Sequence, residues 1–125
     1  MHIKNIQEKA LANETFRTVL ATSPHTQVVI MNVNPGEDIG LETHDKEDQI
    51  LLLISGQGKV LLNGVESDFM AGDCVIVPAG TEHNFTTVGD KPMKIITSYS
   101  PPHHPDGTVH KTKADAEAAE AEHGH

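Results

Sequence analysis

Positive charge is scarce in this sequence. Its 125 residues include nine lysine and arginine residues against eighteen aspartate and glutamate residues, so the formal net charge is −9 at pH 7. Proteins that bind DNA or RNA neutralise phosphates with cationic side chains, and this balance argues against a nucleic-acid partner. Arg17 is the only arginine. Its planar guanidinium group can bind a carboxylate or phosphate through two hydrogen bonds. The simpler expectation is that Arg17 lies on a strand surface or at a subunit contact.

Tryptophan, a second cysteine and long apolar runs are also missing. Charged and polar residues interrupt segment 1–20, so we expect neither a signal peptide nor a membrane helix there. Cys74 is the single cysteine, which excludes a disulfide within this sequence and agrees with a reducing compartment. We therefore expect a cytoplasmic protein without a membrane partner, in which Cys74 packs as a small buried apolar side chain.

Short apolar runs of strand length are plentiful, and turn residues separate them. The runs cover residues 15–21, 27–33, 49–55, 59–62, 73–77, 83–87 and 93–99. A succession of this kind, without internal repeats, favours an all-β sandwich or barrel. Asn63-Gly64 is the sharpest turn signal, because both residue types tolerate the positive φ values of a two-residue type I′ hairpin.

Helical tendencies are confined to the two ends of the sequence. Residues 3–12 are expected to form a short helix or an irregular arm. Alanine and glutamate favour a helix from Lys113 to His123, with a capping box between Thr112 and Asp115. We divide the chain into an N-terminal arm (1–14), a β-barrel (15–100) and a Pro/His-rich linker with a helical tail (101–125).

The linker contains three prolines, which keep residues 100–107 out of regular structure. It also carries His103 and His104, with His110 following. These histidines are expected to be exposed; the alternative is that one of them closes over a pocket as part of a lid.

Four polar side chains stand at the ends of apolar runs. Glu42 and His44 are two residues apart, so on a strand both leave the same face and can reach one ion. Gln49 and His83 each open an apolar run. These positions predict a polar cavity at a barrel mouth, where β-barrels commonly hold small ligands.

The spacing of these residues resembles the two motifs of the cupin family. The segment from Gly36 to Gly56 is similar to the first motif. Five residues separate Gly36 from Glu42-x-His44, four separate His44 from Gln49, and six separate Gln49 from Gly56. Glu42 and Gln49 stand in place of the motif's usual histidine and glutamate. The segment from Gly72 to His83 is similar to the second motif. Five residues separate Gly72 from Pro78-x-Gly80, and two separate Gly80 from His83. Thr87 occupies the motif's final asparagine position. The resemblance covers Asn34 to Thr87.

The resemblance implies a double-stranded β-helix, or jelly-roll, with short helical ends, and a homodimer. It also implies that Glu42, His44, Gln49 and His83 bind one divalent metal ion (Fe, Mn, Zn, Ni or Co). Without Gln49 on the metal, the other three form the 2-His-1-carboxylate set of non-haem iron oxygenases. With Gln49 bound, the set is similar to that of cupins resembling the enzyme that opens unsaturated uronates.

Three functions follow from this resemblance. The first is a metal-dependent enzyme, such as an isomerase, that acts on a small carbohydrate-acid or sugar-like substrate through a Lewis-acid metal. The second is a non-haem Fe(II) dioxygenase, and the third is a non-catalytic metal-binding or small-ligand-binding protein. Glu42 and Tyr99 are the candidate catalytic residues for proton transfer.

Overall fold

Ten β-strands with a short helix at each end make up the computed structural model, which describes residues 1–122. The elements are, in chain order, α1 (Ile6–Ala12), β1 (Arg17–Thr22), β2 (Gln27–Val33), β3 (Glu42–Thr43), β4 (Asp48–Ser55), β5 (Gln57–Leu62), β6 (Val65–Met70), β7 (Cys74–Val77), β8 (Glu82–Thr87), β9 (Met93–Ser100), β10 (Val109–His110) and α2 (Lys113–Glu122). The all-β prediction is confirmed. His123, where the tail helix was expected to end, and His125 lie outside the described residues.

The strands form two antiparallel sheets that enclose one core. The larger sheet has the order β10-β1-β2-β9-β4-β7, and the smaller has the order β3-β8-β5-β6. Burial alternates along β4 and β9, so every second side chain points into the barrel. Phe69 and Phe85 from the smaller sheet pack edge to face at 5.3 Å and join Leu51 and Ile95 from the larger sheet in the core. This architecture is the expected jelly-roll.

The β5–β6 hairpin turns at Asn63-Gly64, as predicted. Both residues have positive φ, 46° and 83°, and Leu62 pairs with Val65 across the turn. The sequence analysis did not identify β6 as a strand. Of its six side chains only Phe69 is buried, because β6 is the outer strand of its sheet and is largely solvated. Its polar residues therefore hide the apolar pattern by which the other strands are recognised.

The C-terminal segment returns to the barrel after β9. Residues 101–108 are irregular, as their prolines predict, and β10 then pairs with β1. The expected capping box begins α2: Asp115 N–H donates to Thr112 Oγ1 at 3.1 Å, and Thr112 N–H donates to Asp115 Oδ2 at 3.3 Å. Ala116 of this helix is buried in the core, and Lys113 forms an ion pair with Asp38. The tail is thus attached to the barrel through β10 and through the first residues of α2.

Two expectations about single residues are wrong. Cys74 is exposed rather than buried, because Val77 points into the barrel and the period of two places Cys74 and Ile76 on the outer face of β7. Arg17 is not on the surface of a strand but is buried, with 2% of its surface exposed. It occupies an inward position of β1, between β10 and β2.

Neither helix in residues 1–122 is long and apolar enough to cross a membrane. Cytoplasmic localisation, the lack of a nucleic-acid partner and the division into arm, barrel and tail stay predictions of the sequence.

Candidate metal centre

Glu42, His44 and His83 lie together at one end of the barrel. The pairing of β3 with β8 sets Glu42 directly opposite His83. Glu42 Oε2 is 3.0 Å from His44 Nε2, and one ligand atom from each of the three side chains lies within 4.8 Å of the other two. His83 is buried and His44 is 9% exposed. Three donors of the types that transition metals prefer therefore converge on one point.

His83 is oriented by its own neighbouring backbone. Its Nδ1 lies 2.9 Å from the carbonyl oxygen of Thr81, which can only accept, so Nδ1 carries the ring proton. The Nε2 lone pair is then free for a metal, which is the usual arrangement of a metal-binding histidine. Burial lowers the pKa of His83, although the bond to Thr81 opposes the shift. The ring is therefore held neutral, as a ligand must be.

Glu42 is held in its ionised form. Burial by itself would raise the pKa of the Glu42 carboxyl, but the hydrogen bond with His44, together with the positive charge of Arg17, outweighs burial and lowers it. An ionised, half-buried carboxylate beside two imidazoles is a competent oxygen ligand for a divalent ion.

Gln49 contributes a buried oxygen that has no partner. Its side chain is 2% exposed, and Nε2 donates to Thr97 Oγ1 at 3.1 Å, while Oε1 accepts no hydrogen bond. A buried acceptor without a donor costs about 1–3 kcal/mol. A cation bound by Oε1 would remove that cost. Glu42, His44 and His83 fit a divalent metal ion as two nitrogens and one oxygen, and the Gln49 oxygen stays a predicted fourth ligand.

Tyr99 lies beside these residues and is completely enclosed. Its ring meets that of His44 edge to face at 5.9 Å and stacks on His103 at 5.4 Å. Burial raises the pKa of the Tyr99 hydroxyl to about 12, an effect that the charge of Arg17 only partly offsets. The hydroxyl is therefore neutral and can donate a proton or a hydrogen bond.

The linker histidines reach this mouth, although His103 is exposed, as expected, and His104 and His110 are partly buried. The His103 ring lies 4.3 Å from the His44 ring, and its Nδ1 is 2.5 Å from Glu47 Oε2. Together with Glu42, His44, Glu47 and Glu120, His103 lines a cavity of about 610 Å³. The lid alternative describes the position of this segment better.

Gln27 is a functional position that the sequence analysis missed. It is fully buried, and its Oε1 accepts the backbone N–H groups of His103 and His104 at 3.2 and 3.0 Å. Its Nε2 donates to the His104 carbonyl at 2.7 Å. One amide thus anchors the linker over the mouth. Gln27, like Gln49, is a polar residue at the start of an apolar strand. This position is the only sequence signal by which Gln27 could have been found.

A jelly-roll barrel with imidazole and carboxylate side chains at its mouth that could hold a metal ion defines a class of small β-barrel proteins. The comparison with known families places the chain within this class: residues 29–99 match the family described as the cupin domain. The chain belongs to the cupin family, as the two sequence motifs predicted.

Its relatives include proteins that cover most of its length. The chain is 44% identical over 124 residues to the uncharacterized protein YrkC of Bacillus subtilis, spanning 94% of this chain and 67% of that protein. The crystal structure of BH2720 from Bacillus halodurans superimposes with a TM-score of 0.92 at 39% identity, over 94% of this chain and 93% of that one. A more distant relative is the oxalate-binding protein of Thermotoga maritima, 27% identical over 53% of this chain and 54% of that protein.

We expect the untagged protein to bind one equivalent of a divalent transition metal, and His83→Ala to lose it. Removing a ligand should weaken binding by more than the roughly 10- to 100-fold that is typical for residues that only orient a ligand. Elemental analysis and calorimetric titration of the metal-free protein with Co(II) measure both effects. His25→Ala is the control, since His25 is exposed in a turn. Equal affinity of the two variants would exclude His83 as a ligand.

Substitutions of Gln49 decide whether its orphaned oxygen binds the ion. Gln49→Glu keeps an oxygen at this position and adds charge, so we expect tighter metal binding. Gln49→Leu removes the oxygen together with the cost of leaving it unpartnered, so we expect weaker metal binding but an equal or higher melting temperature without metal. Titration and thermal unfolding of each variant, with and without Co(II), measure this. Unchanged metal affinity in Gln49→Leu would leave Glu42, His44 and His83 as the complete set.

Proposed function

We propose that the protein is a metal-dependent enzyme that acts on a small, oxygen-rich substrate of the carbohydrate-acid or sugar-like type. The observation that carries this proposal is the convergence of Glu42, His44 and His83 beside a polar cavity that Glu42 and His44 line. A bound divalent ion would supply Lewis-acid polarisation of a substrate carbonyl or carboxylate. The other tasks, which are to hold the ion, to donate a proton and to restrict water, would fall to side chains of this chain.

Different side chains around the candidate metal centre would carry out these tasks. Glu42 and the two histidines would hold the ion, and the neutral Tyr99 hydroxyl would donate a hydrogen bond or a proton to a substrate oxygen. His103, anchored through Gln27, would restrict water at the mouth. The cavity of about 610 Å³ has the size of sites for small organic molecules.

A carboxylate-bearing ligand is supported by one relative. The Thermotoga maritima protein is named for binding oxalate, whose carboxylate oxygens can occupy two adjacent positions on a metal. We extend to this chain only the chemical class of that ligand.

Two other functions each have one observation in their favour. Glu42, His44 and His83 alone are a 2-His-1-carboxylate set, which favours Fe(II)-dependent dioxygenation if Gln49 stays off the metal. Non-catalytic ligand binding is favoured by the pKa directions: that of Glu42 is lowered and that of Tyr99 is raised to about 12. Neither group titrates near neutral pH, where general acid-base catalysts are most effective.

Turnover under nitrogen separates these functions. We expect the metal-loaded protein to convert unsaturated uronates or related sugar acids anaerobically, without oxygen uptake after Fe(II) loading. Tyr99→Phe should lower kcat by about 10²- to 10⁴-fold, the usual contribution of a positioned acid, and leave metal content unchanged. Substrate-dependent oxygen uptake would support the dioxygenase instead. Ligand-induced stabilisation without turnover across the panel would support the binding protein.

We also propose that the protein forms a homodimer through the outer face of β4 and β7. Ile50 pairs with Ile76, Leu52 pairs with Cys74, and all four side chains are exposed on the open edge of the larger sheet. An uncharged patch suits a second copy, because two chains of net charge −9 repel each other elsewhere. Light scattering should give the dimer mass for the native chain and the monomer mass for Ile76→Lys. Val65→Lys, at an exposed turn, is the matched control, and a monomeric native chain would exclude the dimer.

A further inference from the structure

Arg17 is a buried cation whose hydrogen-bonding capacity is not filled. It is 2% exposed, and none of the ion pairs within residues 1–122 includes it. Its Nη1 donates to His110 Nδ1 at 3.1 Å, and its Nε has no hydrogen-bond partner. Because arginine can only donate, His110 accepts through Nδ1 and is neutral. Burying a charge is costly unless it is paired and hydrogen-bonded, so a bound anion that accepts from Nε would stabilise Arg17 beyond the attraction of Glu42.

A second unpartnered group lies at the same place. His104 Nε2 is buried and forms no hydrogen bond, while its backbone is fixed to Gln27 on both sides. Burial, reinforced by the charge of Arg17, lowers the pKa of His104 to about 2, so the ring is neutral. In the tautomer with the proton on Nε2, His104 can donate to the same anion as Arg17.

Arg17 and His104 line one cavity of about 330 Å³, together with His103, Thr108, His110 and Glu120. His103 and Glu120 also line the cavity of the candidate metal centre, so the two spaces are adjacent. A molecule held at the metal centre therefore lies next to the space that Arg17 faces. Among the described residues, Glu120 is the one acidic side chain that lines the Arg17 cavity.

We propose that Arg17 and His104 form a carboxylate-binding subsite for the far end of the molecule whose near end binds at Glu42, His44 and His83. This inference rests on the proposed function, because it defines the substrate as an acid with a second oxygen-bearing group. Arg17 supplies one positive charge, and Glu120 on the same cavity repels a second negative charge, which favours a carboxylate over a phosphate dianion.

Metal-free protein tests the subsite independently of the metal centre. Because Arg17 is the only arginine, its Nε–H group gives a unique side-chain NMR resonance. We expect acetate and malonate to shift this resonance saturably and to raise the melting temperature. Acetamide and inorganic phosphate, at matched ionic strength, should do neither. Saturation by phosphate but not by the carboxylates would overturn the carboxylate assignment, and the absence of any saturable shift would overturn the subsite.

Variants of Arg17 complete the test. Arg17→Met should abolish acetate binding and, by removing a buried charge that is not fully hydrogen-bonded, raise the melting temperature of the ligand-free protein. Arg17→Lys keeps the charge without the fork and should weaken acetate binding by about 10- to 100-fold, the value of charged hydrogen bonds. Lys46→Met is the control, since Lys46 is an exposed cation outside the Arg17 cavity. Acetate affinity equal to wild type in Arg17→Met would exclude Arg17.

The two proposals fail separately. His83→Ala should lose the metal and retain acetate binding in the metal-free state, whereas Arg17→Met should retain the metal. In the metal-loaded wild type, malonate should bind more tightly than its monoamide, and Arg17→Met should remove that preference. If Arg17→Met does not fold, the Nε–H shift and Arg17→Lys still decide the outcome.

Discussion

Desolvation of polar side chains at one end of the barrel is the constraint on which this site depends. Within residues 1–122, three buried side-chain atoms lack a hydrogen-bond partner: Arg17 Nε, Gln49 Oε1 and His104 Nε2. Arg17 and His104 line one cavity next to the mouth, and Gln49 pairs with Tyr99, whose ring contacts that of His44. Each such atom costs free energy in the folded chain. A cation at Gln49 and an anion at Arg17 would remove these costs, so binding of the proposed ligands would stabilise the barrel.

Enclosure of this polar mouth depends on the C-terminal segment. Gln27 holds the backbone at His103 and His104, β10 pairs with β1, and Ala116 enters the core. The enclosure lowers the local dielectric, which strengthens the attraction between Glu42 and His44 and raises the pKa of Tyr99. The tail is therefore a part of the site rather than an appendage to the barrel.

Local patterns predicted much of the fold and the first layer of the site. Alternation and turn residues located seven of the strands, and motif spacing selected Glu42, His44, Gln49 and His83. The strand β6 escaped because its solvated side chains carry no alternation, with Phe69 alone buried. Cys74 was placed on the wrong face, because an apolar run that is four residues long does not show which of its sides is covered. The two-residue strands β3 and β10 are too short to have a pattern.

The sequence by itself determined the family, the barrel and the residue types that suit a metal, because these depend on periods of two and on spacings of a few residues. Only the tertiary structure decided that Arg17 is buried and that its neighbours are His104 and His110. Arg17 and His110 are 93 positions apart, and Gln27 and His104 are 77 apart. Contacts over such separations depend on how the sheets close, and no local pattern encodes them. The same closure decides which polar atoms stay without partners, and therefore what the site is able to bind.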